Sequence, residues 1–195
     1  AILAFLLLAG DLAPARENPA KHLRLIALGE DPRTEEPLPY RHLRHDPAVA
    51  EGLMIPGITA LVSGDQSIPF EMTLGNFTKM LPLDGTAEKL EVASGKGRAA
   101  KSWVSAPMPT APLSLAVLYQ DPEKMIWKKP KLLLLADDSK AFPPGSVRFV
   151  NVSEKTILVK LGDKAFGISP GKSMIKPAPV GTPPFLLGYI EKKGS

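Results

Sequence analysis

Proline and glycine punctuate this chain so densely that a long helix has nowhere to form. Twenty-one prolines and 16 glycines are spread through 195 residues. Each proline lacks an N–H and holds φ near about −65°, so it stops a helix, and each glycine favours a turn. Such punctuation permits a succession of short extended segments. Hydrophobic residues make up 44% of the chain, enough to bury a core, so the segments are expected to pack together.

The stretches between the breaks carry strand signals. Residues 54–62, 68–74, 77–81 and 87–92 are apolar, β-branched or alternating. Residues 113–119, 131–136, 146–151, 156–161, 164–168, 173–176 and 185–190 repeat the pattern further on. Gly75-Asn76 and Gly162-Asp163 each read as a two-residue hairpin turn, with Gly75 where a type II′ turn needs positive φ. Pro143-Pro144-Gly145 and Ser169-Pro170-Gly171 read as tight turns. Residues 115–118 and 132–135 are unbroken apolar runs, the pattern of strands buried on both faces. The expected fold is all-β, a β-sandwich of immunoglobulin-like or jelly-roll type, with little helix beyond one turn at 46–51 capped by Asp46. Leu74-Gly75-Asn76-Phe77 resembles Leu161-Gly162-Asp163-Lys164, and each is followed by a proline-containing turn. Two similar β-halves would explain this, and so would hairpins reusing Gly-Asx turns.

The organisation expected is a signal peptide at 1–15, a polar proline-rich segment at 16–52, and a first β-half at 53–92. A flexible, basic, then proline-stiffened connection follows at 93–112, either a boundary between two β-rich halves or a crossover between two sheets, and a second β-half at 113–191. The apolar run at residues 2–9 followed by Ala13-Pro14-Ala15 has the pattern of a secretory signal and is too short to span a bilayer. The alternative is a buried N-terminal strand or helix. Cleavage after Ala15 would remove one acid, Asp11, and no base, taking the formal net charge from +4 to +5. This basicity lacks the concentrated stripe of a nucleic-acid binder. The expected location is therefore the periplasm or cell surface, without a nucleic-acid partner and without a transmembrane span beyond an uncleaved signal segment. The absence of cysteine rules out disulfides, thiolate metal sites, blue-copper centres and cysteine nucleophiles.

The stretch Phe142-Pro143-Pro144-Gly145-Ser146-Val147-Arg148-Phe149-Val150-Asn151-Val152-Ser153 is followed by the Gly162-Asp163 turn and by Pro170-Gly171-Lys172-Ser173. It resembles a group of uncharacterised exported bacterial proteins that share Phe-Pro-Pro-Gly-Ser-x-Arg-Phe-x-Asn-x-Ser ahead of a glycine-turn hairpin. The resemblance covers roughly residues 113–176 and extends to the opening stretch Leu25 to Pro32. It implies a β-rich envelope protein and brings no catalytic residues with it. Read physically, the same residues are architecture: a sharp turn, then a strand with Val147 and Phe149 on one side and Ser146, Arg148 and Val150 on the other. Asn151 and Ser153 would then bond the backbone locally.

Candidate sites are few. Lys124, Lys128, Lys129 and Lys131 surround Trp127, and with Trp103 they would suit an anionic glycan; the plainer reading is a basic loop with Trp127 packed on a sheet. Tyr40, Tyr119 and Tyr189 would extend a sugar platform only if they shared an exposed face. His42 and His45 near Asp46, with His22 upstream, are the metal-ligand candidates, although a solvated segment explains them as well. Asp137 and Asp138, being adjacent, point to opposite sides of a strand and read as solvated turn residues or a calcium edge. Residues 167–173 approach a phosphate-binding loop, but Pro170 removes a needed amide. Ser169 and Lys172 match Ser-x-x-Lys without the helix that such chemistry requires.

No constellation reaches a catalytic signature and no cofactor is implied. The expectation is a non-catalytic exported module of the cell envelope that binds a protein or polysaccharide partner. The alternative is a metal-dependent or hydrolytic envelope enzyme with a loop-built site.

Overall fold

The structure, a computed structural model, describes residues 21–29, 55–56, 59–95, 101–121 and 126–178, and the backbone of residues 185–189. Among these residues there are thirteen strands and no helix. The strands are β1 Lys21–Leu28, β2 Thr59–Ser63, β3 Gln66–Phe70, β4 Leu81–Leu83, β5 Lys89–Ser94, β6 Lys101–Pro107 and β7 Leu113–Asp121. There follow β8 Ile126–Ala136, β9 Ser146–Val150, β10 Ile157–Leu161, β11 Lys164–Ile168, β12 Ser173–Pro177 and β13 Phe185–Tyr189. The fold is all-β and sandwich-like.

Two four-stranded sheets, ordered β4-β1-β7-β8 and β3-β2-β5-β6, enclose the larger core. Leu23, Leu25 and Ala27 of β1, Leu81 and Leu83 of β4, and Ala116 and Leu118 of β7 meet Leu61 of β2 and Leu90 and Val92 of β5. Burying each of the larger of these side chains contributes about 1.5–3 kcal/mol. β1 runs parallel to β7, with Leu25 opposite Ala116, a pairing that hairpins alone cannot make. The next strand positions face the other way. Leu115, Val117 and Tyr119 form a second cluster with Ile26, Leu28, Leu133 and Val152. β7 is thus buried on both faces, which is why its sequence is continuously apolar rather than alternating.

Two smaller sheets, β11-β10-β13 and β12-β9, hold a third cluster. Ile157, Val159 and Ile168 pack there with Phe149, Phe166 and Met174. The turns between these strands are built as the sequence predicts. Leu161 pairs with Lys164 across Gly162-Asp163, with Gly162 at φ 59°. At Ser169-Pro170-Gly171 the Lys172 N–H donates to the Ser169 carbonyl, and Gly171 at φ 64° occupies the third turn position, as in a type II turn. A strand follows, so the phosphate-loop and Ser-x-x-Lys matches are coincidences of a turn.

Three expectations are corrected. Gly75-Asn76 is not a hairpin: Asn76 N–H donates to the Thr73 carbonyl, so Gly75 at φ 72° is third in its turn. Both arms lie against β1 through the bridges Ala27–Leu74 and Ile26–Phe77. The stretch read as a flexible connection contains β6, which pairs with β5. The run 132–135 is only half-buried: its alternate residues touch the two clusters on either face, but β8 ends its sheet and has no strand on its outer side. The turn expected at 46–51 and the segment 1–15 lie outside the described residues.

Candidate functional site

The lysine–tryptophan patch resolves into a bulged edge strand. Between Tyr119 and Asp121 β7 advances two positions, whereas its partner goes from Lys131 to Ile126, five positions. The excess residues of β8 fall on the segment that holds Trp127, Lys128, Lys129 and Pro130. The bulge turns Trp127 into the larger core at 1% exposure and leaves Lys128, Lys129 and Lys131 exposed. Lysines, a proline and a bulge on an edge strand are the usual means of blocking unwanted strand pairing.

A sugar platform on Trp127 is therefore corrected, since its ring faces are used for packing. Trp103 lies 5.9 Å from it, ring centroid to ring centroid, and donates from Nε1 to the Trp127 carbonyl at 2.6 Å. This bond joins the edge of one large sheet, β6, to the edge of the other, β8. Tyr119 is buried. Lys124, Tyr40, His42 and His45 lie outside the described residues, as does the side chain of Tyr189. His22 sits on β1 opposite Pro82 and Leu113. Among the described residues no group of three His, Asp or Glu side chains is placed to hold a metal ion.

Asp137 overturns its reading as a solvated turn residue. Its side chain is 2% exposed and its two oxygens are divided between two arginines. Arg24 of β1 donates to Oδ2 from Nε at 2.8 Å and from Nη2 at 2.7 Å. Arg148 of β9 donates to Oδ1 from Nη1 at 3.0 Å and to the Ala136 carbonyl from Nη2 at 2.5 Å. Each guanidinium also lies over an aromatic ring, Arg24 over Phe77 at 4.7 Å and Arg148 over Phe142 at 4.6 Å. With both carboxylate oxygens taken by arginine donors from two different strands, the cluster ties β1 and β9 to the end of β8. Asp138 caps the next turn, accepting from the Lys140 and Ala141 N–H groups. Sequence reasoning missed the triad, although an acid two residues beyond four consecutive leucines, with Arg148 inside a turn-strand motif, was a visible signal.

Asn151 behaves as the sequence predicts and does more. Its Oδ1 accepts from the N–H and hydroxyl of Ser153, while Nδ2 donates to the carbonyls of Lys155 and Ile168. At 1% exposure it is a buried junction tying the end of β9 to the end of β11.

A concavity lies where β6 passes β8. It is a cleft of about 390 Å³ whose lining includes Ala106, Pro107, Pro109, Thr110, Leu132 and Leu134. No charged side chain lines it. Lys21 reaches one end, donating from Nζ to the Pro109 carbonyl, and Lys131 adjoins Leu132 at the other. Two half-buried carboxyls elsewhere are perturbed. Hydrogen bonds from the Thr86 hydroxyl and N–H hold Asp84 below the usual carboxylate range. Lys89, and then Ser102, do the same for Glu91. Neither constellation holds a nucleophile or a base aimed into a pocket.

No helix among the described residues is long and apolar enough to cross a membrane. No known protein family matches the sequence, and no curated protein matches it.

Proposed function

We propose that this chain is an exported, non-catalytic binding module of the bacterial cell envelope, and that its partner is a protein. The observation that carries the reading is the cleft between β6 and β8: an uncharged, mostly apolar concavity between two sheet edges. Apolar surface left open beside strand edges suits a polypeptide partner. A polysaccharide finds less support, because stacking on sugars needs exposed aromatic faces and Trp127 and Tyr119 are buried. Export rests on the apolar run and small-x-small site of residues 1–15 and on the resemblance at residues 142–153.

The test is to express the full chain in a bacterial envelope with a photo-crosslinking residue at Leu134, then at Thr110. Fractionation and irradiation should give an envelope-located chain with a discrete polypeptide adduct. A cytoplasmic location would sink the export reading. An adduct absent at both positions, with envelope polysaccharide co-purifying instead, would sink the protein-partner reading.

A further inference from the structure

We infer that the cleft receives an extended segment of the partner as an added strand on the edge of β8, and that this segment is acidic at one end. The inference rests on the protein-partner reading and specifies its chemistry.

The backbone of β8 carries the argument. Asp137 N–H points towards β7, where it donates to the Leu113 carbonyl. The Ala136 carbonyl points the other way, to Arg148. Because backbone groups alternate along an antiparallel strand, the N–H and C=O of Leu134 and Leu132 share the outward direction of Ala136. β8 ends its sheet, so these groups have no ladder partner among the described residues. On the facing strand, Met108 N–H donates to the Glu88 carbonyl on the β5 side. By the same alternation Ser105 and the Pro107 carbonyl face away from β5.

The cleft is therefore bordered by backbone donors and acceptors as well as by apolar side chains. A fatty acyl chain would fill the apolar part and leave the N–H and C=O groups unmet. A peptide backbone meets both. The rest of β8 limits where it fits. Lys128, Lys129 and Pro130 sit on the bulge and oppose pairing, so the open length is the five residues from Lys131 to Leu135, about 16 Å. A segment of that length, with alternate apolar side chains over Leu132 and Leu134, would run its end past Lys131, Lys129 and Lys128. Three exposed cations there favour carboxylates on that end.

The experiment uses the full ¹⁵N-labelled chain and a defined probe, the blocked octapeptide Glu-Asp-Thr-Val-Thr-Val-Thr-Val, at about 1 mM. Amide exchange at Leu132 and Leu134 should slow by about tenfold or more on peptide addition. The same peptide with two lysines replacing Glu-Asp should bind about fivefold or more weakly. Peptides N-methylated on the valines or on the threonines test the hydrogen bonds without altering the protein, and at least one should lose about tenfold. Leu134→Pro, which removes one outward N–H, should lose binding while still unfolding in one cooperative thermal transition, at a lower temperature because Leu134 also packs against the larger core. Several results would overturn the inference: no binding at that concentration, binding without protection of those two amides, equal binding by the lysine peptide, or displacement by dodecanoate. If protection fails while Leu134 still crosslinks to a polypeptide, strand addition falls and the protein-partner reading stands.

Discussion

Arg148 donates from Nη1 to Asp137 Oδ1 at 3.0 Å, and the two side chains, eleven residues apart, are 7% and 2% exposed. Between them lies the Phe142-Pro143-Pro144-Gly145 turn, so the ion pair closes that turn and fixes where β9 leaves β8. Removing one partner of a buried pair strands the other charge away from water, which costs more than the pair itself contributes. Asp137→Asn is therefore expected to lower unfolding free energy by about 3–5 kcal/mol. Arg24→Met removes a guanidinium one-third exposed to solvent and takes the donors from Oδ2 while Arg148 still holds Oδ1, so it should cost less, about 1–3 kcal/mol. Urea unfolding of both variants checks the difference; equal losses would mean that Asp137 is not the anchor.

Asn151 offers a test of polar junctions. Asn151→Ala deletes four hydrogen bonds at a buried position, an expected loss of about 2–4 kcal/mol. Asn151→Asp should be worse at neutral pH, because a carboxylate would face the Lys155 and Ile168 carbonyls where an amide now donates. A melt in which the Asp variant matches the wild type would contradict this geometry.

Gly29 is a steric requirement rather than a conformational one. A Cβ built there would lie 2.7 Å from the Gln120 side chain and 2.8 Å from Trp127 Cζ2. Gln120 is itself buried, and the Trp127 ring is held in the core. Gly29→Ala should destabilise by about 1–3 kcal/mol and change the near-ultraviolet circular dichroism of the tryptophans. An unchanged spectrum and melting temperature would show that the ring has room.

The acid limb of stability should carry the signature of Asp84 and Glu91. Both are held below their ordinary values in the fold, so the folded state binds fewer protons than the unfolded one in the carboxylate range. Their contribution is complete at neutral pH. It fades once the pH falls below about 4, where the unfolded groups protonate, and is gone below the folded values. Thr86→Val combined with Lys89→Met should flatten that part of the curve, lowering stability at pH 7 more than at pH 3. A urea midpoint measured at pH 7 and pH 3 decides it.

Bridging the two large sheets, Trp103 Nε1 donates to the Trp127 carbonyl across from β6 to β8. Trp103→Phe keeps most of the ring and removes the donor. It should cost about 1 kcal/mol and speed amide exchange in β6 more than in β2. Uniform change across the sheet would argue that the bond does not hold the β6 edge.

By itself the sequence determined the class and most of the strands, because these depend on neighbours along the chain. The density of proline and glycine excluded long helices. Local apolar patterning placed β7, β10, β11 and β12, and the Gly162-Asp163 and Pro170-Gly171 turns follow from which residues accept positive φ. Asn151 and Ser153 were legible for the same reason, being two residues apart. Tertiary structure decided everything that depends on distant partners. It set β1 parallel to β7, gave the Gly75 turn its neighbour in β1, and used an extra stretch of β8 to bury Trp127 while exposing its lysines. It brought Arg24 across 113 positions to Asp137. The cleft between β6 and β8 exists only because two sheet edges pass each other, and sheet packing is set by burying apolar faces against each other, which no local pattern records.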